Sequence, residues 1–211
     1  MATVMSPPEA QIIMDGISWE TYERLRAEHP ENVSPRFTYD NGWLELMVPS
    51  TEHERPNRKL ALFVDLVAAE LGIDVEGVGS NTFKREDKRK GFEPDSAFYV
   101  AANAKAVRGK KRLDLATDPP PDLIIEIDVT SPSLPRFPIF AAVGVPEVWR
   151  YKNERVEIFV LRGEGYEVAP HSLALSSVTG EVLTRFLKES EELDSPEWTR
   201  RVREWVQKVT S

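Results

Sequence analysis

The chain has 211 residues, with 27 Lys or Arg against 35 Asp or Glu and a net charge of -8. It has no Cys and only three His, which excludes disulfide frameworks, thiolate zinc sites, cysteine nucleophiles and His-rich metal sites. The sequence shows no secretory signal and no run of 18 apolar residues, so we expect a cytoplasmic protein that does not span a membrane. The length predicts a single domain over residues 1–211, and the acidic balance argues against a strong affinity for phosphate.

The first third of the chain predicts a helix, a hairpin and a second helix. Ser18 is a good N-cap for the first helix. Asn41-Gly42 between two apolar segments is a strong hairpin signal, and Gly72 follows the second helical pattern where a helix commonly ends. The predicted elements are a helix at 18–29, strands at 36–39 and 43–48, and a core helix at about 56–71.

The remainder of the chain alternates strand-like and helical patterns. Three consecutive Pro at 119–121 close a long connection, and Ser195 with Pro196 is expected to open the last helix. The predicted elements are strands at 73–78, 81–85, 95–100 and 122–130, a helix ending at Gly144, a meander at 145–151, 155–161 and 166–170, and helices at 180–189 and from 195. This order predicts a mixed α/β (α+β) fold with a central sheet flanked by helices.

Two acidic residues interrupt the most apolar predicted strand. Glu126 and Asp128 are two residues apart, so they lie on the same face of the strand at 122–130. Buried carboxylates need a cation, a donor or a shifted pKa. Either Arg side chains or solvent satisfy these acids, or they form a divalent metal site.

Four segments in one order carry a family resemblance: 40–54 (DNGWLELMVPSTEHE), 91–100 (GFEPDSAFYV), 119–133 (PPPDLIIEIDVTSPS) and 144–151 (GVPEVWRY). Together they resemble the putative restriction endonuclease family of the PD-(D/E)xK nuclease superfamily. The resemblance covers about residues 15–165, which leaves 166–211 as a C-terminal strand and helical extension. It implies a restriction-endonuclease-like core and metal-dependent phosphodiester hydrolysis.

The resemblance assigns roles to individual residues. Asp95 matches the Asp of the PD element and Glu126 the first acid of the (D/E)xK element, and both would hold Mg²⁺, with Mn²⁺ as a substitute. The motif places Lys at position 128, where this chain has Asp128, which could enlarge the metal site instead. The missing positive charge would then come from Lys84, or secondly from Arg136.

The segment before the second helix offers further candidates. Glu54 would be a catalytic acid, or it would simply stabilise the helix N-terminus. His53 would be a proton shuttle or a solvated loop residue, and Glu45 on the hairpin would point toward the same cleft.

The charge of the chain is unevenly distributed. Residues 84–112 contain ten Lys or Arg and four acids, a net charge of +6, which leaves -14 for the other 182 residues. This basic segment flanks Asp95, so it is either a phosphate-binding lip or a solvated loop. We expect DNA as the partner and a homodimer as the assembly.

Three hypotheses follow. The first is a Mg²⁺-dependent endodeoxyribonuclease, and the second is a catalytically inactive protein of the same fold that binds nucleic acid or protein, which the absence of Lys at position 128 favours. The third is a metal-free hydrolase using Glu126 and Asp128 as an acid/base pair. Their separation of about 7 Å along one strand leaves little room for a substrate bond, which disfavours the third.

Overall fold

A computed structural model describes residues 10–29, 34–129 and 134–210. Its strands are β1 (Ala10–Met14), β2 (Arg36–Asp40), β3 (Trp43–Val48), β4 (Val75–Gly79), β5 (Phe83–Arg85), β6 (Lys90–Phe92), β7 (Ser96–Val100), β8 (Leu123–Asp128), β9 (Glu147–Lys152), β10 (Arg155–Arg162) and β11 (Gly165–Val168). Its helices are α1 (Trp19–Glu28), α2 (Thr51–Leu71), α3 (Ala102–Val107), α4 (Arg136–Val143), α5 (Gly180–Glu192) and α6 (Ser195–Thr210). No helix in these three ranges is both long enough and apolar enough to cross a membrane.

The strands form two sheets. The smaller has the order β1-β3-β2-β6-β5, and all of its neighbours are antiparallel. The larger has the order β11-β10-β9-β8-β7-β4. Within it β8 and β9 run parallel, with α4 between them in sequence, whereas β7 and β8 run antiparallel. The start of β7 therefore lies beside the end of β8.

Helices cover both faces of the larger sheet. On one face a buried cluster joins α2, α5 and α6 to alternate residues of β8, including Ile125 and Ile127. On the other face Ile124 packs with α3 and α4. The smaller sheet packs against α1 through the aromatic rings of Trp19, Tyr22 and Tyr39. The C-terminal helices thus share the core of α2, while the division of the chain at residue 165 stays a prediction.

Most of the predicted elements are confirmed. Ser18 caps α1 by accepting a hydrogen bond from the Thr21 backbone N–H at 3.2 Å. Asn41 and Gly42 both have positive φ, as a tight hairpin turn between β2 and β3 requires. Gly144 ends α4 in the left-handed conformation.

Several boundaries differ from those expected. Strands β1 and β6 were not predicted, because each is short and is specified by pairing with another strand. The connection at 101–121 contains α3. The cap of α6 is Asp194, whose carboxylate accepts the Glu197 backbone N–H at 2.9 Å, and not Ser195, which lies inside the helix.

The most consequential difference is the start of α2. The helix begins at Thr51 and not near Pro56, because Ser50 accepts a hydrogen bond from the His53 backbone N–H at 3.2 Å and so caps it five residues earlier. Pro56 lies within the helix. His53 is consequently a buried residue of the first turn, and the expectation of a solvated loop histidine is wrong.

Candidate active site

A buried group of charged side chains lies where the two sheets meet α2. It forms around the start of β7 and the end of β8, which the antiparallel pairing brings side by side. The smaller sheet contributes one residue from each of β2 and β3, and α2 and α4 contribute their first turns. We call this group the charged cluster; its members are Arg36, Glu45, His53, Glu54, Asp95, Glu126 and Arg136.

Asp95 is at the centre of the charged cluster, and its side chain is fully buried. Its Oδ2 accepts the backbone N–H of Ile127 at 2.6 Å, which fixes the carboxylate against β8. Its Oδ1 accepts a hydrogen bond from the Arg36 guanidinium and lies 2.7 Å from Nε2 of His53. The Asn57 amide donates to the backbone carbonyl of Asp95 at 3.1 Å, so α2 also holds the main chain in place.

Arg36 connects Asp95 to the start of α2. Its Nη2 donates to Oε1 of Glu54 at 2.6 Å, and its Nη1 lies 3.2 Å from Nε2 of His53. The guanidinium is nearly buried, and this burial lowers the pKa of Arg36, although Glu54 and Glu126 act in the opposite direction. The two acids therefore offset part of the effect of burial on this cation.

Glu126 and Glu45 share a second guanidinium. Nη1 of Arg136 donates to Oε2 of Glu126 at 2.8 Å, and Nη2 donates to Oε1 of Glu45 at 3.4 Å. Glu45 is fully buried and also accepts the backbone N–H of Leu134 at 3.3 Å. Burial opposes the charge on Arg136, but Glu126 and Glu45 outweigh it and raise its pKa.

Burial affects the ionisation of Glu126. Burial raises its pKa above the ordinary value, and this effect exceeds the opposing attraction of Arg136, Arg36 and His53. One guanidinium shared between two buried carboxylates cannot fully compensate both. Glu126 thus holds its proton to higher pH than an exposed glutamate does.

Asp128 and Lys84 have partners of their own. Asp128 Oδ2 accepts a hydrogen bond from Lys152 Nζ at 2.8 Å. The ammonium of Lys84 lies 2.5 Å from Glu23 on α1. The structure therefore brings Asp95, Glu126, Glu54, His53, Glu45 and Arg136 together, and places Lys84 on the α1 side of the smaller sheet.

Comparison with known proteins identifies the family of this chain. The family model described as Uma2, putative restriction endonuclease, matches residues 19–187. The chain belongs to the Uma2 family.

The fold agrees with that of a solved Uma2-related structure. It is similar to the crystal structure of a putative nuclease belonging to DUF820 from Anabaena variabilis ATCC 29413, with a TM-score of 0.51 and 15% identity over 77% of this chain and 96% of that one. At this identity the similarity concerns the fold alone, and it confirms the predicted mixed α+β nuclease fold. A search of curated proteins found no match.

The residues of the charged cluster fit a divalent metal ion in their chemistry. Asp95 and Glu126 supply the hard oxygen donors that Mg²⁺ prefers, and Oε1 of Glu126 is buried with no hydrogen-bond partner among the described residues. Over residues 10–29, 34–129 and 134–210, however, no three acidic or His side chains are grouped so that they could hold a metal. Instead, Arg36 lies against the carboxylate of Asp95, and Arg136 lies against the carboxylate of Glu126.

Several cations of the basic segment 84–112 form ion pairs with acids of this Uma2 protein. Lys90 contacts Asp40, Lys110 contacts Asp118, and Arg108 contacts Asp74 and Glu76. Arg85 lies 2.7 Å from Asp87. The pairs with acids outside the segment reduce the positive charge that it offers to a phosphate, and both interpretations of the segment stay predictions.

Arg36, His53 and Asn57 are the parts of the site that sequence reasoning missed or undervalued. Arg36 stands at the start of a strand in which Phe37 and Tyr39 alternate with polar residues, which is a weak signal for a buried cation. Asn57 and His53 lie four residues apart, so in a helix that starts at Thr51 they share a face. Predicting the cap at Ser50 would have revealed both.

Proposed function

We propose that this Uma2 protein is a metal-dependent endonuclease that hydrolyses phosphodiester bonds in DNA. Family membership supports nuclease chemistry in general. The observation that carries the finer proposal is that Asp95, just before β7, and Glu126, near the end of the antiparallel neighbour β8, each pair with a buried guanidinium group. Arg36, which contacts Asp95, also acts electrostatically on Glu126.

The carboxylates of Asp95 and Glu126 would hold the ion, while Asp128 pairs with Lys152. A bound Mg²⁺ would polarise the scissile phosphate and lower the pKa of a water molecule. Hydrolysis then forms one P–O bond from water and breaks one P–O ester bond, leaving a phosphate monoester and an alcohol.

The protein's own residues keep this arrangement in place. The Ile127 backbone N–H and the amide of Asn57 fix Asp95 at the end of β8. Arg36 and Arg136 provide positive charge at the point where a phosphate would carry negative charge. Asp95 and Glu126 are buried, which strengthens their interactions with these guanidinium groups.

A nicking assay tests this proposal. Wild-type protein should convert supercoiled plasmid to the open circular form in Mg²⁺ or Mn²⁺ and should be inactive in EDTA. Asp95→Asn should lower the rate by about 100-fold or more, because it removes the charge that holds the metal.

The control for Asp95→Asn is Asp118→Asn. Asp118 is also a buried aspartate paired with a cation, but it precedes β8 and does not lie at its end. Circular dichroism first establishes that both variants fold. The Asp118→Asn variant should then cleave like the wild type. Equal cleavage by the wild type and Asp95→Asn would contradict the proposal.

The ion pairs favour a second function, which is the binding of DNA or protein without cleavage. Arg36 and Arg136 already pair with Asp95 and Glu126, which is what a binding module without metal would retain. Calorimetric titration with Mn²⁺ separates the two functions. Heat of binding that disappears in Asp95→Asn supports the nuclease, whereas no binding to the wild type leaves DNA or protein binding without cleavage.

A further inference from the structure

The PD-(D/E)xK motif places a lysine at position 128, and this chain has Asp128 there. The structure shows which lysine lies next to that position. Strands β8 and β9 pair in parallel, with Glu126 opposite Arg150 and Asp128 opposite Lys152. Directly opposed residues of neighbouring strands point to the same face, so Lys152 emerges beside Asp128 on the face that also carries Glu126.

The contact between Lys152 and Asp128 is direct. Nζ of Lys152 lies 2.8 Å from Oδ2 of Asp128, while Oδ1 of Asp128 is buried and accepts no hydrogen bond from the part of the chain that the structure describes. The Asp128 side chain is 9% exposed and that of Lys152 is 35% exposed. Asp128 thus anchors the ammonium group, while the Lys152 side chain as a whole stays partly exposed.

Other cations near the end of β8 are less available. Arg136 is nearly buried and divides its guanidinium between Glu126 and Glu45. Arg150 lies over the rings of Phe137 and Phe159 and pairs with Glu157 at 3.0 Å.

Lys84 is accessible, but it pairs with Glu23 on α1. Of these four cations, Lys152 therefore combines proximity to the motif acids with exposure.

We propose that Lys152, supplied from β9, binds the phosphate undergoing cleavage in place of the lysine that the motif carries at position 128. This inference rests on the proposed nuclease function. The ammonium of lysine is a compact charge on a flexible four-carbon stem, so it can bond both Asp128 and a phosphate oxygen from its position on β9. Asp128 is then the residue that orients Lys152, which gives this departure from the motif a physical role.

The first experiment compares Lys152→Met with Lys152→Arg in the plasmid nicking assay. Removal of one group that stabilises charge on the phosphate should lower the rate by about 100-fold, and Lys152→Arg should recover part of it. Lys188→Met is the control, because Lys188 is an exposed lysine of α5 that is not part of the charged cluster. It should cleave like the wild type. Wild-type cleavage by Lys152→Met, or a loss found in Lys84→Met instead, would overturn the proposal.

A double variant distinguishes a phosphate contact from a merely structural ion pair. Asp128→Lys combined with Lys152→Met returns a lysine to the motif position while it removes the one on β9. It should cleave about 10-fold faster than Lys152→Met alone, because a cation again faces the phosphate. If Lys152 matters only through its ion pair with Asp128, the double variant stays as slow as the single one, and the proposal fails.

DNA binding in EDTA separates this proposal from the nuclease function. Fluorescence anisotropy of a labelled duplex at several salt concentrations gives the slope of log affinity against log salt, and loss of one phosphate contact lowers its magnitude by about 1. If the wild type does not cleave, the nuclease proposal fails, but a lower slope for Lys152→Met still supports the phosphate contact. An unchanged slope contradicts it in either case.

Discussion

Arg36 and Asp95 form an ion pair that is almost completely removed from solvent, between the start of β2 and the start of β7. The Asp95 side chain is fully buried, and that of Arg36 is 10% exposed. The pair joins the smaller sheet to the larger one at the candidate site. It also brings together a residue that the motif predicts and one that the motif does not mention.

Arg36→Met should strongly destabilise the protein. Removing one partner of a buried ion pair leaves the other charge without compensation, which typically costs about 3–5 kcal/mol. Urea unfolding monitored by tryptophan fluorescence measures the loss. Arg200→Met is the control, because Arg200 is an exposed arginine paired with Glu197 and Glu204, and it should alter stability little. Similar effects of the two substitutions would show that the Arg36 pair is not stabilising.

The stability of the wild type relative to Glu126→Gln should fall as pH rises. Burial raises the folded-state pKa of Glu126, so between the unfolded value near 4.5 and the folded value the native state holds the proton and the unfolded state does not. Unfolding then releases a proton, and the stability contributed by this group is greatest below pH 4.5 and is lost as pH rises to the folded pKa.

Chemical denaturation of both proteins at several pH values from about 4 to about 7 measures this difference. Because Gln cannot ionise, the variant lacks the pH dependence that comes from position 126. A wild-type advantage that grows with pH would show that Arg136 lowers the pKa of Glu126 and that burial does not prevail.

Gly91→Ala should destabilise the smaller sheet through Tyr22. An added Cβ at this position would overlap the hydroxyl oxygen of Tyr22 and lie 2.8 Å from its Cζ. Such overpacking typically costs about 1–3 kcal/mol. The buried Tyr22 hydroxyl makes no hydrogen bond with any residue in the described ranges, so Tyr22→Phe should be nearly neutral by itself.

The double variant Gly91→Ala with Tyr22→Phe should recover part of the stability that Gly91→Ala loses, since the overlapping oxygen is absent. Thermal unfolding of the four proteins gives this coupling. If the stability losses of the two single variants simply add in the double variant, the overlap with Tyr22 is not what destabilises Gly91→Ala.

Ser50→Ala should affect both stability and cleavage, whereas Ser18→Ala should affect stability alone. Each serine caps a helix by accepting a backbone N–H at 3.2 Å, and loss of such a cap costs about 1 kcal/mol. The Ser50 cap fixes the turn of α2 that presents His53 and Glu54 to Arg36, and Ser18 caps α1. Urea unfolding and plasmid nicking measure the two effects, and equal nicking by both variants would contradict the link between the α2 cap and the site.

The sequence alone determined the fold class and most of the elements, and it predicts Asp95 and Glu126 as the two motif acids. Local signals were sufficient where structure is decided locally, as at the Asn41-Gly42 turn and at Gly144. The apolar run around Glu126 predicted a buried strand, and β8 confirms it. Strands β1 and β6 escaped prediction because pairing with distant strands, and not their own composition, stabilises them.

Only the tertiary structure decided which charges meet. Arg36 is 59 residues from Asp95 in sequence, and Glu45 is 91 residues from Arg136, so no spacing rule connects them. The pairing of Lys152 with Asp128 depends on the parallel register of β8 and β9, in which a shift of one residue would place the two side chains on opposite faces. The net charge of -8 gave no indication of this, because an electrostatic interaction depends on the distance between charges, which the fold sets.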